Sequence, residues 1–82
     1  MLAARGDLDR AETFARQAVE TMTGAGFLDD AALAWLDLAE VLRASGRGDE
    51  VAAAAEALAL FERKGNLVGA GWVRVFLHAS ED

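Results

Sequence analysis

The sequence contains no cysteine and no proline. Without cysteine, a disulfide framework and a thiolate metal site are both excluded. The absence of proline removes the strongest helix breaker, and 19 of the 82 residues are alanine, which has the highest intrinsic helix propensity. A chain of this length forms one domain at most. Composition therefore predicts a single all-α domain.

Basic residues and long apolar runs are also scarce. Eight Lys and Arg stand against fourteen Asp and Glu, which gives a net charge of −6. Nucleic acids and anionic membranes are bound through basic patches, so this balance argues against both. No run approaches the roughly 18 apolar residues of a membrane span, and the amino terminus lacks the layout of a signal peptide. We expect a cytoplasmic protein that binds neither nucleic acid nor membranes.

The first two apolar-periodic segments predict two long helices. The first, 8–22, repeats apolar residues at three- and four-residue steps, ends at the glycines of 24–26, and has Asp7 or Asp9 as a candidate N-cap. The second, Asp29–Gly46, opens with two aspartates, either of which can serve as its N-cap. It is apolar nearly all round, and such a helix must be packed on more than one side. We predict that it is the central helix.

The third and fourth segments complete the prediction of four helices. The third runs from near Asp49 to Lys64 and ends at glycine, with Val51, Ala54, Leu58 and Phe61 as its main apolar stripe. The fourth, 67–79, is rich in side chains that favour strands, and local propensity alone predicts a strand. No other segment offers a partner strand. We therefore predict a helix here as well.

The helical segments form an internal repeat of about forty residues. Gly46 follows Gly6 by forty positions, and Trp35 and Trp72 lie thirty-seven apart. Within this pattern, the first-helix positions of a known repeat signature are matched in order by Trp35, Leu38, Ala39, Leu42 and Gly46. The second-helix half of the same signature is matched by Gly6, Ala11, Ala15 and Ala18.

These residues resemble the tetratricopeptide repeat family. The resemblance implies an α-solenoid fragment of antiparallel helix pairs, about four helices in all. It divides the chain into the second helix of a truncated repeat (1–26), one complete repeat (27–66) and the first helix of a further repeat (67–82). The long spacing is similar to repeat variants of large bacterial signalling proteins, in which arrays follow nucleotide-cyclase or nucleoside-triphosphatase modules. The resemblance thus implies a protein-binding scaffold at the end of a larger regulatory protein.

Candidate catalytic groups are few and are better explained as parts of helices. The only histidine, His78, has no nucleophile or carboxylate nearby in sequence. The acidic pairs fall at helix starts or at the chain end, where carboxylates cap backbone N–H groups or remain solvated. The glycines of 24–26 and 69–71 do not complete a phosphate-binding motif. We predict no catalytic, cofactor-binding or metal-binding residues and no enzymatic activity.

Two surfaces are predicted instead. The first surface, for a protein or peptide partner, combines the side of the central helix that faces away from its packing side with two residues of the fourth segment. It comprises Leu33, Leu36, Asp37, Glu40, Arg43, Val73 and Leu77. The second, for self-association as a symmetric dimer, comprises Leu8, Phe14, Val19, Trp72, Val75 and Phe76. Core positions are the preferred interpretation of Trp35 and Trp72, with a role as partner anchors as the alternative. The predicted function is protein–protein interaction, and the alternative is structural self-association.

Overall fold

The computed structural model describes residues 5–46 and 49–80. They form four helices: α1 (Arg5–Ala25), α2 (Leu28–Ser45), α3 (Glu50–Lys64) and α4 (Leu67–Ser80). No strand occurs in these two ranges, which confirms the all-α fold class. None of the four helices is both long enough and apolar enough to cross a bilayer. The predicted features at 1–4, 47–48 and 81–82 lie outside the described residues.

The fourth segment is a helix despite its strand-favouring composition. Asn66 is its N-cap, because the side-chain Oδ1 accepts a hydrogen bond from the backbone N–H of Gly69 at 2.9 Å. Ala70, Val73 and Phe76 follow at three-residue steps and are all buried. That spacing matches one face of a helix, whereas a strand would place alternate residues on the core. The cap and the buried face together outweigh the local β propensity.

The connections α1–α2 and α3–α4 have the same geometry. Gly26 and Gly65 both have a φ of 80°, a left-handed conformation that strongly favours glycine. In each connection the residue after the glycine donates its backbone N–H to a carbonyl five residues back: Phe27 to Met22 at 3.1 Å and Asn66 to Phe61 at 2.9 Å. This is the Schellman arrangement, and it lets a new helix start at once. Two helix–turn–helix units therefore repeat at thirty-nine residues.

The repeat register differs from the predicted one. Gly6 lies inside α1 and is not a turn residue, so the proposed match between Gly6 and Gly46 is wrong. The turn glycines at 26 and 65 instead align Trp72 with Leu33, and both of these side chains are exposed. The two tryptophans are therefore not equivalent positions of the repeat.

Two of the predicted N-caps also need correction. Asp9 lies within α1, where its backbone oxygen accepts a hydrogen bond from Thr13 Oγ1 at 3.0 Å. The N-cap of α2 is Phe27, and Asp29 and Asp30 lie in its first turn. There their negative charges still favour the positive end of the helix dipole. Helix α3 starts where predicted, directly after Asp49, and the Asp49 side chain makes no capping hydrogen bond.

The core is built around α2, as predicted. It packs along α1 and α3 and touches α4, while α3 also packs on α4; α1 and α3 do not pack on each other within the described ranges. Small side chains dominate the core, and its fully buried large side chains are Phe61, Leu38, Leu42 and Val73. Val51 is 51% exposed, so the predicted α3 stripe is wrong at that position. The buried residues of α3 are Ala53, Ala54, Ala57 and Phe61.

Helices α3 and α4 approach most closely where Gly69 meets the ring of Phe61. A Cβ atom added at Gly69 would overlap ring atoms of Phe61 and would lie only 2.8 Å from its Cγ. Phe61 is itself 1% exposed and is held in the core, so its ring has little room to move away. Two residues later, Gly71 has no neighbouring atom within 4 Å of the same added Cβ.

This difference predicts opposite effects for the same substitution at the two glycines. We expect Gly69→Ala to lower the free energy of unfolding by about 1–3 kcal/mol, because it overpacks the α3–α4 contact. Gly71→Ala should leave stability unchanged or raise it by up to about 1 kcal/mol, through helix propensity. Urea denaturation followed by circular dichroism measures both changes. Equal effects at the two positions would contradict the close approach.

Candidate protein-binding surfaces

Chemical groups of the kind that form active sites are dispersed over the structure. Across residues 5–46 and 49–80 there is no group of three or more His, Cys, Asp or Glu side chains placed to hold a metal ion. His78 is exposed near the end of α4. In the acidic pair at the start of α2, Asp29 accepts a long hydrogen bond of 3.4 Å from the side-chain amide of Asn66. This bond links the start of α2 to the connection between α3 and α4.

The predicted partner surface is only partly exposed. Leu33 is 40% exposed, and the side chains of Asp37, Glu40 and Arg43 are exposed on the same side of α2. Leu36 is 9% exposed and belongs to the core, so its assignment to this surface is wrong.

The two residues that α4 was expected to contribute to this surface are also covered. Val73 is completely buried, which makes its assignment wrong as well. Leu77 is half-buried and packs against the core. The physical reason is that α4 lies against α3 through its Ala70, Val73 and Phe76 side. The part of the predicted surface that a partner can reach is therefore confined to α2.

One charged member of this surface is engaged within the chain. The guanidinium carbon of Arg43 lies 4.3 Å from the centroid of the Phe76 ring. Phe76 is 6% exposed. Arg43 covers the ring, and such a cation–π contact is worth about 0.5–1 kcal/mol at an exposed site. Phe76 thereby joins α4 to α2.

The predicted self-association residues divide in the same way. Phe14 is 69% exposed, Trp72 53% and Val75 71%. Val19 and Phe76 are buried within the chain, so their inclusion is wrong, and Leu8 is half-buried. Because Trp72 is exposed, the preferred interpretation of it as a core residue is also wrong.

The exposed residues of α4 lie on one side of the helix. Val68, Trp72 and Val75 are spaced by four and three positions, so they form one stripe, here called the α4 face. No acidic residue occurs between Leu67 and Ser80. The one Arg of this helix, Arg74, bonds to Glu62 of α3 at 2.9 Å. The α4 face is thus an apolar surface free of carboxylates.

One further surface was not predicted from the sequence. Two adjoining hollows, of about 270 Å³ and 250 Å³, share Arg16, Trp35 and Leu38. They lie where α1 and α3 flank α2 without packing on each other, and we call them together the central groove. Its floor is apolar: Trp35 is the partly exposed residue there, and Leu38, Leu42 and Ala53 beneath it are buried. Trp35 is half-buried and packs against the core, so one part of its indole remains open to the groove.

The rim of the central groove is acidic. Glu20 comes from α1, Glu56 from α3, and Asp49 from the start of α3. Among the described residues that line the groove, the one basic group is Arg16, which is already bonded to Glu12 at 2.9 Å. No single segment carries this arrangement, because it arises only when two helices come to lie on either side of a third. The only feature of the sequence that could have indicated the groove is the spacing of Glu20 four residues after Arg16. Such a spacing is common on solvated helices, so it does not predict a groove.

No protein-family model matches the sequence, and no curated protein and no solved structure is significantly similar to it.

The two tryptophans should respond differently to truncation. We expect Trp35→Ala to lower the free energy of unfolding by about 2–4 kcal/mol, because it removes a ring that packs against the core. Trp72→Ala should cost less than about 1 kcal/mol, since most of the ring is already in solvent. Urea titrations of both variants provide the comparison. A Trp35→Ala protein as stable as Trp72→Ala would show that Trp35 does not support the core.

Proposed function

We propose that this chain is a non-catalytic protein-interaction module whose central groove receives an apolar, basic segment of another protein. The observation that carries the proposal is the half-buried Trp35 on an apolar floor between acidic rims. Tryptophan is enriched among the residues that dominate binding energy, particularly when a pocket surrounds it. The open part of the Trp35 ring gives a partner side chain an apolar surface to cover.

Charge supports a basic partner. Among the described lining residues, three rim carboxylates, at Glu20, Asp49 and Glu56, stand against one guanidinium, that of Arg16, which is already paired with Glu12. The whole chain carries −6, so the long-range field also attracts positive segments. Complementary charges at a rim mainly raise the association rate and exclude wrong partners, while the apolar floor supplies affinity. A Lys- or Arg-rich amphipathic helix has both properties.

The helical repeat supports a scaffolding role of the tetratricopeptide type. Two helix–turn–helix units with the same glycine turn follow each other at thirty-nine residues, and α2 packs on both neighbours along the chain. Stacked helix pairs of this kind present extended surfaces to other proteins. We propose that the chain is part of such an array within a cytoplasmic regulatory or signalling protein.

A second candidate function is self-association. It is favoured by one observation, the exposed apolar α4 face, because patches of this kind usually mark an interaction site. The two functions use different surfaces and are compatible.

The groove proposal predicts charge-selective peptide binding. Two synthetic amphipathic helical peptides share the same leucine pattern and carry either Lys or Glu at every polar position. In a Trp72→Phe background the tryptophan emission reports Trp35 alone. We expect the Lys peptide to change this emission saturably and the Glu peptide to have no effect. The paired change Glu20→Gln with Glu56→Gln should weaken binding by about three- to tenfold.

The matched control removes two carboxylates elsewhere. Asp37→Asn with Glu40→Gln changes the net charge equally on the exposed side of α2 outside the groove. Binding of the Lys peptide should fall little in this variant. Equal loss in both double variants would mean that net charge, and not the groove, attracts the peptide. Binding of the Glu peptide with equal affinity would contradict the proposal.

A further inference from the structure

We infer that the α4 face is a symmetric docking surface for a second copy of this chain, with α4 packed against α4. The inference rests on self-association, the second candidate function, and is independent of the central groove.

The α4 face has the shape of a helix-packing surface. Val68, Trp72 and Val75 are 65%, 53% and 71% exposed. Gly71 lies on the same side of the helix, and the space beside its Cα is open. A glycine flanked by large apolar residues lets the backbone of another helix come close while the larger side chains close around it. Small residues are also fully buried inside the molecule, where Ala39 of α2 and Ala54 and Ala57 of α3 belong to one core cluster.

The distribution of carboxylates indicates that the molecule docked on the α4 face is a second copy of the chain. Each chain carries −6, and fourteen carboxylates are spread over its sequence. None of them lies in Leu67–Ser80, where the single Arg74 is bonded to Glu62. Two acidic molecules repel each other least where the contact itself carries no carboxylates. Among the described helices only α4 has no carboxylate of its own, so its apolar stripe is the place where two copies meet with the least repulsion.

The other uncovered helix is a poorer match for α4. Phe14 is the exposed aromatic of α1, but the side chains around it are Asp9, Arg10, Thr13 and Gln17. Docking of α4 on this surface would partly remove the charged ends of Asp9 and Arg10 from water, which costs free energy. Docking of α4 on α4 covers apolar groups with apolar groups. Identical patches related by a twofold axis also close into a dimer, whereas repeated α4-on-α1 contacts would give a ring or an open filament.

The small exposed area of the α4 face limits the affinity that we expect for the dimer. The exposed α4 side chains offer a few hundred Å² per copy, below the roughly 800 Å² per partner of a standard interface. A dissociation constant in the micromolar range or weaker is therefore expected. Screening reduces the repulsion between charges more than about 8 Å apart at physiological salt. Self-association should consequently strengthen as salt is added.

Sedimentation equilibrium tests whether association uses the α4 face. At tens of micromolar we expect a species heavier than 8.7 kDa, and Val75→Asp should restore the monomer without loss of helix content. The matched control is Val51→Asp, which introduces the same charge at a valine of α3 that is 51% exposed. It should associate like the unchanged chain. A monomeric unchanged chain would overturn self-association altogether.

Cross-linking locates the contact, because the chain has no cysteine of its own. Under mild oxidation, Gly71→Cys should form disulfide-linked dimers rapidly, and Phe14→Cys and Asp37→Cys should not. Self-association that is unaffected by Val75→Asp, with no cross-link through Gly71→Cys, would overturn the α4 assignment but leave self-association standing. Preferential linkage between Phe14→Cys and Gly71→Cys in a mixture would overturn the symmetric arrangement.

Discussion

The contact between Gly69 and the Phe61 ring determines how the last helix lies on α3 and against α2. Phe61 belongs to the core that α2 and α3 share, and only a residue without Cβ allows the α4 backbone to approach its ring this closely. Once Gly69 is placed there, Val73 and Phe76 point inward and Trp72 and Val75 point outward. Both the covering of the core and the exposure of the α4 face follow from this one approach.

The helices and their ends could be predicted from the sequence more reliably than the faces that they bury. Gly26, Gly46 and Gly65 end three helices because the left-handed conformation that they adopt strongly favours glycine. The buried faces are harder to predict, because α2 and α3 are rich in small apolar residues and several faces of each helix have similar composition. Backbone approach then decides which side is covered, as the exposure of Val51 and the burial of Leu36 show.

Interaction surfaces were harder still to predict. The exposure of Trp72 depends on the position of α4, and the central groove exists only because α1 and α3 flank α2 without packing on each other. The two surfaces differ in charge: the groove has carboxylates at its rim, and the α4 face has none. This contrast supports a division of roles in which the groove attracts a basic segment and the α4 face meets another copy of the acidic chain.

The most direct test of this account is the nuclear Overhauser spectrum of the unchanged protein. We expect strong cross-peaks between the Hα protons of Gly69 and the ring protons of Phe61. The two groups lie close together, because a Cβ at Gly69 would overlap that ring. Residues Leu67–Ser80 should show helical chemical shifts in the same sample. Helical shifts without the Gly69–Phe61 cross-peaks would contradict the position of α4, and with it the α4 face.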